Sequence, residues 1–328
     1  MLLGNLFGHR QKPEIYHAGA YVKSLTYVGV ELEFSCVLGA NRTSYWSWHS
    51  DGSVRGERPG ELVLLNPTPP LFFDEAVNEY RDKIMGNVRV NDSCGMHVHI
   101  DVCDLTMEEL RGVLLFYSVL ERTIYKYCGS GRDNNNFCVP LWECWNKVDL
   151  FGKRFAVDNN LRYCGLNLAA IRKFGSIEFR MHPGIVGANK MARWVGLCAS
   201  IKEYGRTCTV ESLYNLLQGA SAYSFLSSTL GSSAYILMQY VTKEDLMSGV
   251  MDGKEIYYSD TLRASNSRLS NTSSKRKSKS SYIPYDVWRE VSMELSPSHV
   301  APVGRVDLST MSWTRANYTE DQITEEDF

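Results

Sequence analysis

The stretch Tyr27-Val-Gly-Val-Glu-Leu-Glu-Phe-Ser35 alternates apolar and polar residues. A period of two is the mark of a β-strand with one buried face. In a strand, residues two apart share a face, so Glu31 and Glu33 stand together while Val30, Leu32 and Phe34 take the other side. Two carboxylates side by side repel each other, and a divalent cation removes the conflict.

Two further stretches repeat the device. In Asn91-Asp-Ser-Cys-Gly-Met-His-Val-His-Ile-Asp101, His97 and His99 share a face while Met96, Val98 and Ile100 pack. In Ser176-Ile-Glu-Phe-Arg-Met181, Glu178 and Arg180 share a face opposite Ile177, Phe179 and Met181. Taken singly each is ambiguous. Paired histidines can be satisfied neighbours or half of a zinc site. A Glu/Arg pair on a sheet is commonly a surface ion pair of little energetic weight. Taken together, and with Glu61, they supply more oxygen than a zinc site uses. They suit magnesium held between carboxylates and nucleotide phosphates, with the arginine available to a phosphoryl group.

Around these strands the periodicities mix. Residues 60–65, 161–168 and 175–182 also read as strands. Residues 74–85, 106–127, 189–204, 210–217 and 244–251 read as helices. The clearest is 106–127, where Thr106 and Glu109 have the spacing of a capping box and Leu110, Val113, Leu114, Tyr117, Leu120 and Ile124 form an apolar stripe. Helix 189–204 turns Met191, Trp194, Val195, Cys198 and Ile201 inward. There is no regular βαβ alternation, so an α+β domain with a mainly antiparallel sheet is expected, the sheet carrying the site and helices covering its other face.

The chain of 328 residues is long enough for one large core. Residues 1–20 read as an N-terminal extension and 21–258 as the catalytic domain. Residues 259–281 read as a flexible basic, Ser-rich linker and 282–328 as a C-terminal segment with an acidic tail. The linker's Lys275, Arg276, Lys277 and Lys279 are expected to be solvated, not to bind nucleic acid. A net charge of -2 gives no general attraction to nucleic acid or acidic membranes. No run approaches the roughly 20 apolar residues of a membrane span, and the N-terminus does not read as a signal peptide. Nine cysteines without a CxxC pair read as buried thiols in a cytoplasmic protein.

These motifs resemble the amidoligase family, within the wider superfamily of glutamine synthetase and glutamate–cysteine ligase. GVELEF is similar to that superfamily's paired-glutamate strand, NDSCGMHVHID to its metal-binding histidine segment and GSIEFRMHPG to its EFR strand. The amidoligase branch is resembled further in Asp51-Gly-Ser53, in Glu61 with Asn66-Pro-Thr-Pro-Pro70, and in residues 132–140 followed by Tyr163-Cys-Gly-Leu-Asn167. The resemblance runs in family order over residues 29–184.

The resemblance implies a glutamine synthetase-like catalytic domain that uses ATP and Mg²⁺, with two Mg²⁺ ions. Glu31, His97 and Glu178 would bind the ion that grips the γ-phosphate, and Glu33 and Glu61 the ion nearer the acceptor. Arg180 would stabilise the phosphoryl group in transfer. Arg132, Asn167 and His99 would contact nucleotide or substrate, and Asp51 would deprotonate the amine. A carboxylate would take the γ-phosphate as an acyl phosphate, and an amine would then displace phosphate to give an amide or isopeptide. Carboxylate and amine partners of the amino acid, peptide or cell-wall class are implied. The family binds ATP without a Walker loop, and this chain has none. Two readings compete: a metal-dependent hydrolase using Mn²⁺ or Zn²⁺ at the same cluster, and a non-catalytic binding protein on a ligase fold.

Overall fold

The computed structural model describes residues 2–7, 9, 15–17, 20–24, 26–38, 42–129, 131–144 and 162–258. The linker, the C-terminal segment and part of the expected N-terminal extension lie outside them. In chain order the elements are α1 (Leu3–Phe7), β1 (Ile15–His17), β2 (Ala20–Ser24), β3 (Val28–Phe34), β4 (Cys36–Val37), β5 (Trp46–His49), β6 (Gly60–Leu64), α2 (Phe73–Lys83), β7 (Val88–Arg89) and β8 (Gly95–Asp101). There follow α3 (Met107–Cys128), α4 (Leu141–Cys144), β9 (Leu166–Asn167), α5 (Ala170–Phe174), β10 (Ser176–Pro183), α6 (Ala188–Gly205), α7 (Val210–Gly219), α8 (Ala222–Leu230) and α9 (Lys243–Tyr258).

Six strands form one sheet in the order β5-β6-β3-β8-β10-β9, antiparallel throughout. Its two faces follow from the alternation. Val28, Val30, Leu32 and Phe34 of β3, Met96, Val98 and Ile100 of β8, and Ile177, Phe179 and Met181 of β10 are all buried on the helix side. The polar residues between them line the other side. The architecture is α+β with a mainly antiparallel sheet, as the mixed periodicities predict.

The helix layer is built around α3. Its cap is the capping box that the sequence spells: the Glu109 N–H donates to Thr106 Oγ1, and the Thr106 N–H donates back to the Glu109 carboxylate. Helix α9 lies directly along α3. A Cβ on Gly249 would sit 2.4 Å from the Ser118 carbonyl oxygen, so only glycine permits that approach. On α6, Met191, Trp194, Val195, Cys198 and Ile201 are all buried, as their spacing requires.

The differences are local. The expected strand 161–168 is reduced to Leu166–Asn167, because the preceding residues turn to bring the Val139 and Gly165 backbones together (Gly165 N to Val139 O, 2.7 Å). The short helix expected at 244–251 runs on to Tyr258, where Ile256 is buried against the core. Helix α8 and strand β5 have no counterpart in the sequence reading. All nine cysteines are buried. Among the described residues no helix is long and apolar enough to cross a membrane.

Candidate active site

Register assembles the site. Glu33 stands directly opposite Glu61 across β3 and β6, and Glu31 opposite His97 across β3 and β8. His99 faces Glu178 across β8 and β10, and Glu178 faces Asn167 across β10 and β9. Directly opposed residues share a face. Groups spread from position 31 to position 178 therefore meet on the polar side of one sheet.

The contacts are close but mostly not direct hydrogen bonds. His97 Nδ1 lies 3.4 Å from Glu31 Oε2 and 3.6 Å from Glu178 Oε1, and its Nε2 lies 3.8 Å from Glu33 Oε1. His99 Nε2 lies 3.6 Å from Glu31 Oε1 and 4.0 Å from Glu178 Oε1. Good hydrogen bonds are shorter. One ligand atom each from Glu31, His99 and Glu178 falls within 4.8 Å of the others, a spacing that a cation among them accommodates. His97 sits between both carboxylate pairs. The geometry thus adds His99 to the groups expected to face a metal. The donor set is rich in carboxylate oxygen, which fits a hard divalent cation.

A layer of partners fixes these groups. Asn167 Nδ2 donates to Glu178 Oε2 at 2.5 Å, and its Oδ1 accepts from the Ala169 N–H. Arg180 Nη1 donates to Glu178 Oε1, and its Nε reaches the Phe137 carbonyl at 3.4 Å. Ser176 Oγ bonds His99 Nδ1 at 2.9 Å, and the edge of Phe174 meets the same ring. The Gly95 N–H donates to Glu33 Oε2 at 2.6 Å. A Cβ on Gly95 would lie 3.1 Å from His97 Nε2 and 3.2 Å from that carboxylate, so the floor of the site is cut to glycine's size.

Two expected residues have other work in the structure. Arg132 donates to the carbonyls of Met181, Arg180 and His182 at 2.8, 3.1 and 3.3 Å, pinning the irregularity in β10 where its register with β8 shifts. Asp51 Oδ1 accepts from the Ser53 N–H and Oγ, both at 2.8 Å, in the loop after β5. Its charge still reaches Glu33 and Glu61.

Electrostatics separates the carboxylates. Burial lifts Glu61 to about 7, helped by the charges of Glu31 and Asp51. Burial also lifts Glu33 against the pull of His97 and the Gly95 N–H. Burial would lift Glu31 too, but the imidazoles of His97 and His99 beside it hold it well below the usual range. Glu178 is likewise held low, the charges of His99, His97 and Arg180 outweighing its burial. His99 is raised, since Glu31 and Glu178 overcome the burial that favours its neutral form.

Beside Glu31 and His99 a recess of about 140 Å³ opens between Tyr27, Pro67 and Phe174. Sequence reasoning missed the lining residues Ser176 and Phe174, and also His49, which lies opposite Glu61 across β5 and β6. The alternation in Trp46-Ser-Trp-His49 was the available signal for His49, since Trp46 is fully buried and His49 falls on the other face.

A family model described as "Putative amidoligase enzyme" matches residues 39–202, half of the chain. The chain belongs to that family of amide-bond-forming ligases. The match takes in Asp51, Glu61, His97, His99, Arg132, Asn167, Glu178 and Arg180, and begins after Glu31 and Glu33. No curated protein matches the chain.

Proposed function

From membership of the amidoligase family as premise, we propose that the protein is an ATP- and Mg²⁺-dependent ligase that joins a carboxylate to an amine. The observation that carries the reading is the charge imbalance of the sheet's polar face. Glu31, Glu33, Glu61 and Glu178 converge there with two imidazoles, and Arg180 is the one cationic side chain bonded into the cluster among the described residues. Such a cluster gains from cations supplied from outside.

Glu31, Glu178 and the two histidines would hold one Mg²⁺, Glu33 and Glu61 a second; bound there, the ions supply charge neutralisation to the phosphates of ATP. The protein's own groups have definable tasks. Asn167 and Arg180 grip opposite oxygens of Glu178 and fix its orientation. The planar guanidinium of Arg180 presents further N–H donors to a phosphoryl group in transfer. Ser176 and Phe174 hold the His99 ring in place. Asp51, on its loop, is the candidate to accept the proton of the incoming amine. The recess beside Glu31 and His99 has room for a small reacting group. No protein nucleophile is required.

The Glu31–His99–Glu178 set also mixes imidazole and carboxylate in the way of some hydrolytic zinc centres, which keeps a metal-dependent hydrolase as the second reading. Thermal unfolding separates the two. ATP with Mg²⁺ should raise the melting temperature, ATP with EDTA should not, and Glu31→Gln should remove the response while the metal-free melting temperature is retained. Stabilisation by Zn²⁺ or Mn²⁺ alone, with no effect of ATP, would replace the ligase by the hydrolase.

A further inference from the structure

A second cavity lies past the end of β10, on the helix side of the molecule. It encloses about 620 Å³ between residues 183–190, Tyr127 of α3 and the 3₁₀ segment Gly231–Leu237 with the residues that follow it. That is the size of a small-molecule site, for which volumes run from about 300 to 1,000 Å³.

Its electrostatics are the reverse of the sheet face. Lys190 and Arg193 line it, one turn apart on α6, and no acidic side chain is among the described residues around it. Among the described residues neither cation has an ion-pair partner; Arg193 merely lies over the Tyr235 ring at 6.0 Å. The same α6 begins here. Gly187 offers it no side-chain cap, and its first turn holds no acid. A helix start is the positive end of the dipole and favours an anion, so Lys190 in the first turn adds charge of the unfavourable sign. Two side-chain cations and a helix N-terminus thus point into one cavity with nothing to neutralise them.

The rest of the wall is mainly aromatic and aliphatic, with Tyr127, Tyr235, Ile185 and Met238, and it also carries the polar side chains of His182 and Gln239. A ligand matched to this wall has an apolar or aromatic body and a small negative charge. A nucleoside triphosphate fits poorly, because its metal ion would need oxygen ligands and the lining offers no carboxylate. The cavity is linked to the carboxylate cluster through the backbone. Pro183 pairs with Gly95, and the Gly95 N–H holds Glu33.

We infer that this cavity binds the free carboxylate and the apolar or aromatic side chain of an amino acid or short peptide, anchoring the substrate by the end that does not react. The assignment of that ligand as substrate rests on the ligase reading; the binding itself does not.

Isothermal titration of the full chain tests it, with N-acetyl-tyrosinate, its neutral amide and inorganic phosphate as probes. N-acetyl-tyrosinate should bind, and the amide should bind about tenfold more weakly or not at all, since a charge-assisted hydrogen bond is lost. The Lys190→Gln/Arg193→Gln double variant should lose about tenfold or more in affinity for the acid with its melting temperature retained. Absence of binding, equal affinity for acid and amide, or undiminished affinity in a folded double variant would each overturn the inference. Tighter binding of phosphate than of N-acetyl-tyrosinate would overturn the carboxylate assignment, since helix N-termini also receive phosphate. The wild-type acid-to-amide ratio carries the test if the double variant does not fold. Glu31→Gln should bind N-acetyl-tyrosinate as the wild type does, so failure of the Mg²⁺–ATP response and failure of this cavity are read separately.

Discussion

The protein gathers ionised groups in two places, and it balances them differently. Under α6, the fully buried Lys202 donates to Asp104 at 2.6 Å and to Thr26 at 3.0 Å. Arg206 bridges Asp104 at 3.1 Å and Glu109 at 2.8 Å, with Glu203 beside it. Three carboxylates meet two cations, and nearly every polar atom has a partner. Burial still lifts the Asp104 carboxyl, which Lys202 and Arg206 pull back. On the sheet's polar face, four carboxylates meet one guanidinium, and the imidazoles stand 3.4 to 4.0 Å off them. The first cluster is complete within the chain and serves the fold. The second holds more carboxylates than cations within the chain, and on the proposed ligase reading bound metal and nucleotide complete it.

The comparison breaks most visibly if one cation is taken from the complete cluster. Lys202→Met leaves Asp104 buried without its nearest partner, and such a loss costs about 3–5 kcal/mol. Urea unfolding should show that loss, while folded variant protein should keep its Mg²⁺–ATP response. A variant as stable as the wild type would mean that the network under α6 is dispensable and that the two clusters do not differ in kind. Arg180→Lys makes the corresponding cut at the sheet face. The positive charge remains but the planar fork is lost. Turnover should fall roughly tenfold, about 1.4 kcal/mol in the barrier, with nucleotide affinity and stability nearly unchanged. Equal turnover would make Arg180 a structural partner of Glu178 alone.

The difference between the clusters also explains what could be read from the chain. Period-two patterns are local, so Glu31 with Glu33, His97 with His99, and Glu178 with Arg180 were each legible as same-face pairs. The Thr106–Glu109 capping box was legible for the same reason. Register is not local. Nothing near Glu61 says that it will stand opposite Glu33, and nothing near Gly95 says that its N–H will hold the same carboxylate. Lys202 is a sharper case. It sits next to Ile201 on the inward side of α6, where the apolar pattern does not predict a lysine. Its burial makes sense only through Asp104 and Thr26, which are 98 and 176 residues away. Short strands were harder still: Leu166–Asn167 is two residues long, and only its pairing with β10 defines it.

Glu121 sharpens the comparison from a third position. It is buried in α3 and neutralised by neither cluster; Tyr117 and the N–H groups of Leu141 and Trp142 donate to it at 2.9, 2.6 and 3.3 Å. Burial nevertheless lifts its carboxyl to about 8 from an ordinary 4.5. The folded state then holds a proton that the unfolded state has released. Its contribution to stability is complete below about pH 4.5 and is lost as the pH rises through 8. Urea midpoints at pH 5, 6.5 and 8 should fall in that order by more in the wild type than in Glu121→Gln. A slope that the variant leaves unchanged would show that the three donors keep Glu121 ionised, and that hydrogen bonds alone can stand in for a counter-cation inside this fold.

The smallest effect is the most diagnostic. Glu61 and Glu33 are directly opposed like charges, and such a pair is destabilising by about 0.2–1 kcal/mol. Glu61→Gln removes the repulsion, so with EDTA present the variant should be slightly more stable than the wild type in urea. With Mg²⁺ and ATP the order should reverse, because the wild type gains from a ligand that the variant binds less well. A residue that belongs to the fold cannot show that reversal: its removal would destabilise the protein under both conditions, as the loss of Lys202 should. If Glu61→Gln behaved in that way, the acidic face would be a structural network like the one under α6, and its excess of carboxylates would no longer call for a cation from outside.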